Sequence, residues 1–191
     1  MTPIHYVANT RLPTEKANGY QTMKMAEALA RLVRPLVLWA PVRFRSREMR
    51  GVRDPFAYYG VRRCFRIRMV PSIDLITPLG RSLPPLLGRA VFWLQGWSFS
   101  LCTALAALVL PGEVWYSRDV YFYYLFAPVA RRLGKRVYLE AHHALPRLGP
   151  WRRLALGAGD GLVAITAGLA EDLVAWGAPP ERVVVLPDGV D

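Results

Sequence analysis

Several side chains able to do chemistry stand directly after short apolar runs. His142 follows Arg136 to Ala141, Arg118 and Asp119 follow Glu113 to Ser117, and Thr166 follows Gly161 to Ile165. A histidine at a strand end can contact a reacting group. An arginine there can hold a phosphate or carboxylate in a two-pronged grip. Asn18 and Gly19 close a polar loop that begins at Asn9, after the apolar run Ile4 to Ala8. Glycine there would admit a close backbone approach, and the helix start behind it favours phosphate. Each of these has a plainer reading. Asp119 and Thr166 are good helix caps, Arg118 can form an ordinary surface ion pair, and Asn-Gly is a common turn. His143 is expected to point away from His142, and His5 lies inside an apolar run, as a core residue would.

The elements that must position these residues follow from hydrophobic periodicity. Short apolar runs at Ile4–Ala8, Leu36–Ala40, Phe65–Val70, Glu113–Ser117, Arg136–Ala141, Gly161–Ile165 and Arg182–Leu186 read as strands. Helices are expected from about Tyr20 to Val33, across the apolar stretch after Leu83, after Asp119, and after Thr166 up to Gly177. Glu27 and Arg31 stand one turn apart on the first helix and can pair. Pro41 to Gly60 reads as a long basic and aromatic loop, and Pro71 to Pro85 as irregular chain. The alternation gives an α/β, Rossmann-like domain with a mostly parallel sheet and helices on both faces. Ligands of such sheets bind beyond the carboxyl ends of the strands. The loops after Ala8, Ser117, Ala141 and Ile165 should therefore meet on one edge.

Common fingerprints are missing. No G-x-G-x-x-G follows the first strand, and there is no G-x-x-x-x-G-K-[ST] or G-x-S-x-G. Three other segments carry a pattern: Arg11 through Asn18-Gly19 to Ala30, the Tyr-Leu-Glu-Ala-His string of Tyr138 to His142, and Leu162 to Thr166 continued by Gly177 to Asp191. Together they resemble the N-terminal, subfamily 4-like domain of the family 4 glycosyltransferases, which have the two-domain GT-B fold. The last segment, with Gly177-Ala-Pro-Pro-Glu-Arg-Val and Pro187-Asp-Gly-Val-Asp191, is the most specific of the three. The resemblance implies that residues 1–186 form an acceptor-side domain and that residues 187–191 begin the junction to a donor-binding domain. It implies His142 at the reaction centre and a cleft position for the Asn18-Gly19 loop, and Arg11, Arg118 and Thr166 complete the expected substrate contacts. Asn18 departs from the Gly-Gly pair often found at this loop. The implied reaction moves a sugar from a nucleotide sugar to an acceptor, with retention and without a required metal or other cofactor. The family's Arg/Lys pair and Glu-x7-Glu element belong to its second domain. None of Glu171, Asp172, Glu181, Asp188 and Asp191 matches them, so this chain by itself is expected to be inactive.

Charge narrows the partners. The 191-residue chain is 53% hydrophobic with a net charge of +11. Residues 1–89 hold 16 Lys and Arg against five Asp and Glu, whereas residues 90–191 hold nine of each. Such a basic half suits a phosphorylated substrate, an anionic membrane or nucleic acid. Nucleic acid is disfavoured because no reading motif accompanies the charge. Ala90 to Gly112 is uncharged over 23 positions, long enough to cross a bilayer. Its Gln95, Ser98, Ser100 and Thr103 favour a buried or membrane-surface helix instead. The Arg43 to Arg63 loop and the Leu83 to Leu110 segment are expected on one face that meets anionic lipid. Cys64 and Cys102 form no recognisable framework, and the N-terminus lacks a secretory pattern, so a cytoplasmic setting, peripheral on the inner membrane face, is expected. The rival reading is a non-catalytic module or subunit that partners a separate donor domain.

Overall fold

The computed structural model describes residues 3–33, 35–79, 83–146 and 148–187. Seven strands form one sheet: β1 (Ile4–Val7), β2 (Leu36–Pro41), β3 (Arg66–Val70), β4 (Val114–Ser117), β5 (Arg136–Ala141), β6 (Gly161–Ala164) and β7 (Val183–Val185). Their order is β3-β2-β1-β4-β5-β6-β7, and every pairing is parallel. Consecutive strands run outward from β1 in one direction and from β4 in the other, so the connections diverge between them. That is where an α/β sheet opens a ligand crevice.

The helices are α1 (Ala17–Leu32), α2 (Pro55–Tyr59), α3 (Ile76–Leu79), α4 (Pro85–Val109), α5 (Val120–Ala130), α6 (Pro150–Ala158) and α7 (Ala167–Ala175). Two cores flank the sheet. On one face Tyr6, Leu36 and Leu38 pack with Met23, Ala26 and Ala30 of α1 and with Phe56 and Tyr59 of α2. On the other, Val7, Trp39, Trp115, Val137 and Leu139 pack beneath α4 to α7. Helix α5 is the centre of this second layer. Its Phe122, Tyr123, Tyr124 and Phe126 are fully buried. Successive strand residues feed opposite cores because a strand's side chains alternate. On the α1 face the helical cover stops short: Val184 on β7 is 49% exposed.

Several elements differ from the sequence expectation in instructive ways. Helix α1 starts at Ala17, three residues early, so Asn18 and Gly19 are helical rather than loop residues. The Glu27–Arg31 pair forms at 3.1 Å. The basic loop contains α2, which is capped by Asp54 accepting from the Phe56 amide and ended by left-handed Gly60. Helix α6, absent from the sequence reading, opens on Pro150, whose fixed φ suits a first helical position. Both cysteines are free. Of the junction expected at residues 187–191, only Pro187 lies among the described residues.

The centre of the sheet is built on a buried histidine. His5 stacks on Trp115 at 4.0 Å between centroids. Its Nε2 faces the Pro111 carbonyl oxygen at 2.9 Å, and its Nδ1 meets Trp39 Nε1 at 2.9 Å. A carbonyl only accepts and an indole only donates, so the ring is the neutral Nε2–H tautomer. Gly112, at φ +139°, leaves it room: a Cβ there would lie 2.3 Å from Nε2. Burial pushes the His5 pKa below its ordinary 6.5, and the nearby Lys135 and Arg68 charges push the same way, against the Pro111 hydrogen bond. A lowered folded pKa means that the unfolded chain takes up the proton first. Stability is then complete above about pH 6.5 and falls as pH drops towards the folded pKa, by up to about 1.4 kcal/mol per pH unit. Urea melts at pH 7.5 and 5.5 should show a smaller drop for His5→Gln than for the wild type. Equal drops would show that His5 is not the titrating group.

Candidate active site at the carboxyl edge of the sheet

The loops after β1, β4, β5 and β6 all leave the same edge, as the parallel pairing requires. Register then decides which side chains meet. Tyr116 pairs with Tyr138 across β4 and β5, so the next outward positions on that face are Arg118 and Glu140. Both point to the α1 side, where Gln21 comes down from the helix. Arg118 donates from Nη2 to Gln21 Oε1 at 2.9 Å and to His142 Nδ1 at 3.2 Å. Its Nε lies 3.3 Å from Glu140 Oε1. The same carboxylate oxygen meets His142 Nε2 at 2.5 Å, and the other accepts from the Tyr116 hydroxyl at 2.5 Å.

Residues from α1, β4, β5 and the loops after the two strands thus converge on one carboxylate and one guanidinium. Because Arg118 can only donate, His142 Nδ1 accepts, and Nε2–H donates to Glu140. Glu140 holds the imidazole in one tautomer and one orientation. Burial opposes the Glu140 charge. Hydrogen bonds from His142 and Tyr116 and the Arg118 charge outweigh it, and together they hold the carboxyl below its usual range. Tyr116 moves the other way: burial, then the Glu140 charge, raises its phenol far above the ordinary value. At neutral pH Glu140 is therefore a carboxylate and Tyr116 a phenol, beside the Arg118 guanidinium and the His142 ring. Such a set can orient polar groups and share a proton through His142.

A second network braces the crevice from below. Asp119 accepts from the Phe122 amide at 2.6 Å, the α5 cap expected from sequence, and also from Ser100 of α4 at 2.6 Å. Asn9, in the loop after β1, hydrogen-bonds the same carboxylate and accepts from Gln95 Nε2 at 2.9 Å. Burial raises the Asp119 pKa, and its four hydrogen bonds oppose that rise. One buried carboxylate thereby ties α4 and α5 to the β1 and β4 loops.

The remaining expected residues lie apart from the Arg118 cluster. Arg11 stays in its own loop, bonded to Glu15 at 3.2 Å and Thr14 at 3.4 Å. Thr166 caps α7, accepting from the Leu169 amide at 3.2 Å. Asn18 is exposed on the first turn of α1, and its carbonyl accepts from Thr22. Gly19 is glycine for a packing reason. A Cβ would lie 2.4 Å from the Thr14 methyl and 2.5 Å from the Tyr59 hydroxyl. That hydroxyl also bonds the Thr14 amide at 2.7 Å and its carbonyl at 2.8 Å, so α2 pins the loop after β1. His143 is exposed. Gln21, Tyr116 and Glu140 were not singled out from sequence. Glu140 carried a signal, a lone acid in an apolar run, but its partners depend on register. A depression of about 810 Å3 between α6 and α7, lined by Arg152, Arg153 and Trp176, contains none of this chemistry.

The Arg118 and Glu140 side chains are 12% and 3% exposed. Removing one member of a buried pair strands the other. Arg118→Ala should therefore lower the unfolding free energy by about 3 kcal/mol. Asp119→Ala, which removes a cap and a tie between helices, should cost about 1–2 kcal/mol. Urea denaturation checks both. A change below about 0.5 kcal/mol for Arg118→Ala would mean that Glu140 is solvated rather than paired.

No protein-family model matches the chain, and no curated protein matches it in sequence. Solved structures do match in fold. Anabaena Alr3699/HepE in complex with UDP and glucose aligns over 100% of this chain and 45% of its own, with a TM-score of 0.56 and 10% identity. A glycosyltransferase from Rickettsia africae aligns over 99% of this chain and 43% of its own, at 0.54 and 12%. The apo lipopolysaccharide outer core galactosyltransferase WaaB aligns over 98% and 46%, at 0.50 and 16%. The chain spans about half the length of these structures, and its α/β, Rossmann-like fold is that of the corresponding half of a GT-B glycosyltransferase.

Proposed function

We propose that this chain is the acceptor-side half of a glycosyltransferase of the family 4 type, which moves a sugar from a nucleotide sugar to an acceptor. The observation that carries the reading is the Arg118–Glu140–His142 cluster, fixed at the carboxyl edge beside the first turns of α1, in a sheet whose order opens a crevice there. In this reading residues 1–186 are the acceptor-side domain, and the segment from Pro187 leads to a donor-binding half supplied in the same chain or by a partner. The acceptor is a lipid-linked or cell-envelope saccharide, and the setting is the cytoplasmic side of a membrane.

Each site residue has a role in this scheme. His142, oriented by Glu140, contacts the donor sugar beside the reacting carbon. Arg118 and Gln21 hold the polar rim of the crevice. Lys16, the residue before α1, makes no side-chain cap, so the dipole of that helix start keeps a positive potential for the donor phosphates. Arg11 and Thr166 line the outer loops. The leaving diphosphate needs fixed cations or dipoles where its charge grows, a contribution of several kcal/mol for even one well-placed donor. The donor half supplies most of these, and the proposed transfer retains the sugar's configuration without a metal.

The test is transfer from a panel of nucleotide sugars to lipid and saccharide acceptors. The 191-residue chain alone should bind nucleotide sugars feebly and give no product. With a matching donor half present, product should form. His142→Ala should then reduce kcat by about tenfold or more while circular dichroism stays unchanged. Enzyme-dependent product from the chain alone would overturn the division between halves. Full activity of His142→Ala in the two-half enzyme would remove His142 from the reaction centre.

A further inference from the structure

Helix α4 is two different surfaces in sequence. From Gln95 onward its inward side is buried: Gln95, Phe99, Ser100, Thr103 and Ala107 face α5 and the sheet. Ser100 and Thr103 donate back to the Gly96 and Phe99 carbonyls, so the polar positions are satisfied inside the domain. Across the first ten residues, Pro85 to Leu94, no residue is buried. Leu86, Leu87, Phe92, Trp93 and Leu94 are 77, 52, 56, 58 and 41% exposed. Two to three turns of helix, about 15 Å long, project from the body with large apolar side chains on all sides. The chain entering this helix adds exposed Ile73, Leu75 and Leu79.

The charge around this tip is one-sided. Leu75 to Gly112 contains no acidic residue. Arg89 is exposed on the tip itself, and Arg45, Arg47 and Arg50 are exposed in the loop after β2, accompanied by Glu48 and by Glu15, which accepts from Ser46 at 3.0 Å. That loop is fastened to the segment ahead of α4. Asp74 is buried, pairs with Arg43 at 3.3 Å, and accepts from the Phe44 amide at 2.9 Å. Ser72 donates to the Val42 carbonyl at 2.7 Å, and the Ile73 amide donates to Ser98 of α4 at 2.9 Å. Phe44, held in this way, is 61% exposed. The expected basic face is corrected in one respect. Arg62 and Arg63 lie across the sheet, where the Arg62 amide bonds Glu27 of α1 and Arg63 covers Phe56 of α2.

We propose that the α4 tip, Phe44 and the Arg45–Arg50 loop form a docking surface for an anionic bilayer, with the tip's aromatic rings in the headgroup region and the arginines on lipid phosphates. Several observations choose this occupant. Apolar side chains on every side of a short projecting helix fit a fluid interface, whereas a protein partner would cover one stripe. Exposed Trp and Phe suit the boundary between water and acyl chains. Arg45, Arg47, Arg50 and Arg89 outnumber the neighbouring acids, Glu15 and Glu48, and this excess matches an anionic surface. The buried inner side of α4 keeps the helix in the domain, so the tip lies in the interface and the helix does not span. The surface stands near the carboxyl edge, because α4 meets the segments that leave β3 and β1 there, Ser98 at the Ile73 amide and Gln95 at Asn9. Gln95 and Ser100 couple the same helix to Asn9 and Asp119 beside the crevice. A docked tip would turn the crevice towards the membrane. This inference is independent of the glycosyl-transfer reading.

The experiment is flotation of the 191-residue chain with two vesicle types, phosphatidylcholine alone and phosphatidylcholine with about one-third phosphatidylglycerol. Binding should favour the anionic vesicles by about tenfold and weaken as salt rises from about 0.1 to 0.5 M. Phe92→Ser with Trp93→Ser should abolish it. Arg45→Glu with Arg47→Glu and Arg50→Glu should remove the anionic preference. These positions are exposed, and unchanged circular dichroism verifies the fold. Three results would overturn the proposal: equal flotation with both vesicle types, undiminished binding by the Phe92/Trp93 variant, or a dimer in solution that the same variant dissolves while the wild type binds no vesicles.

Discussion

Parallel strands cannot be joined by tight turns. Each must be followed by a chain segment that returns across a face of the sheet before the next strand begins. In this chain that requirement determines most of the architecture. It sends α1 and α2 over one face and α4 to α7 over the other, and it delivers every strand's outgoing residue to a single edge. It also makes both faces of β1, β2 and β4 interior, which is why their residues are apolar in both directions and why the exceptions stand out.

The exceptions are the buried polar groups, and each is satisfied by partners far away in sequence. His5 is neutral between an indole and a carbonyl. Asp119 gathers donors from two helices and the loop after β1. Glu140 gathers a phenol, an imidazole and a guanidinium. A buried charge without partners would be expensive, and a fully partnered one is rigid. The Asp119 and Glu140 networks stand at the carboxyl edge beside the crevice, where rigidity is useful to a site, whereas His5 meets Pro111 ahead of β4, toward the opposite edge. The apolar cores behind them are made of close-packed aromatic and aliphatic side chains.

Helix α4 joins the two themes. Its inner side belongs to the aromatic core and to the Asp119 network, and its outer end carries apolar surface that the domain does not cover. Lys135 stabilises the other end, its ammonium meeting the Leu110 carbonyl at 2.9 Å and the Ala107 carbonyl, where a helix C-terminus favours positive charge. The helix is thereby fixed at its base and free at its tip.

The sequence by itself determined the fold class, because short apolar runs alternating with helical patterns allow little besides a parallel sheet with helical cover. It also located His142, Arg118, Asp119 and Thr166 at strand ends, and the caps at Asp119 and Thr166 follow from residue type alone. Only the tertiary structure decided which of these residues meet. The β4–β5 register brought Arg118 and His142 onto Glu140 and left Arg11 with Glu15 and Thr166 on its own helix. Gly19 shows the same division. Its place near a helix start was legible, but the reason for glycine is the hydroxyl of Tyr59, on a different helix. Local propensity and periodicity are properties of neighbouring residues, so a sequence displays them directly. Contacts across strands and between layers depend on register and packing, which are set only when the whole sheet has closed.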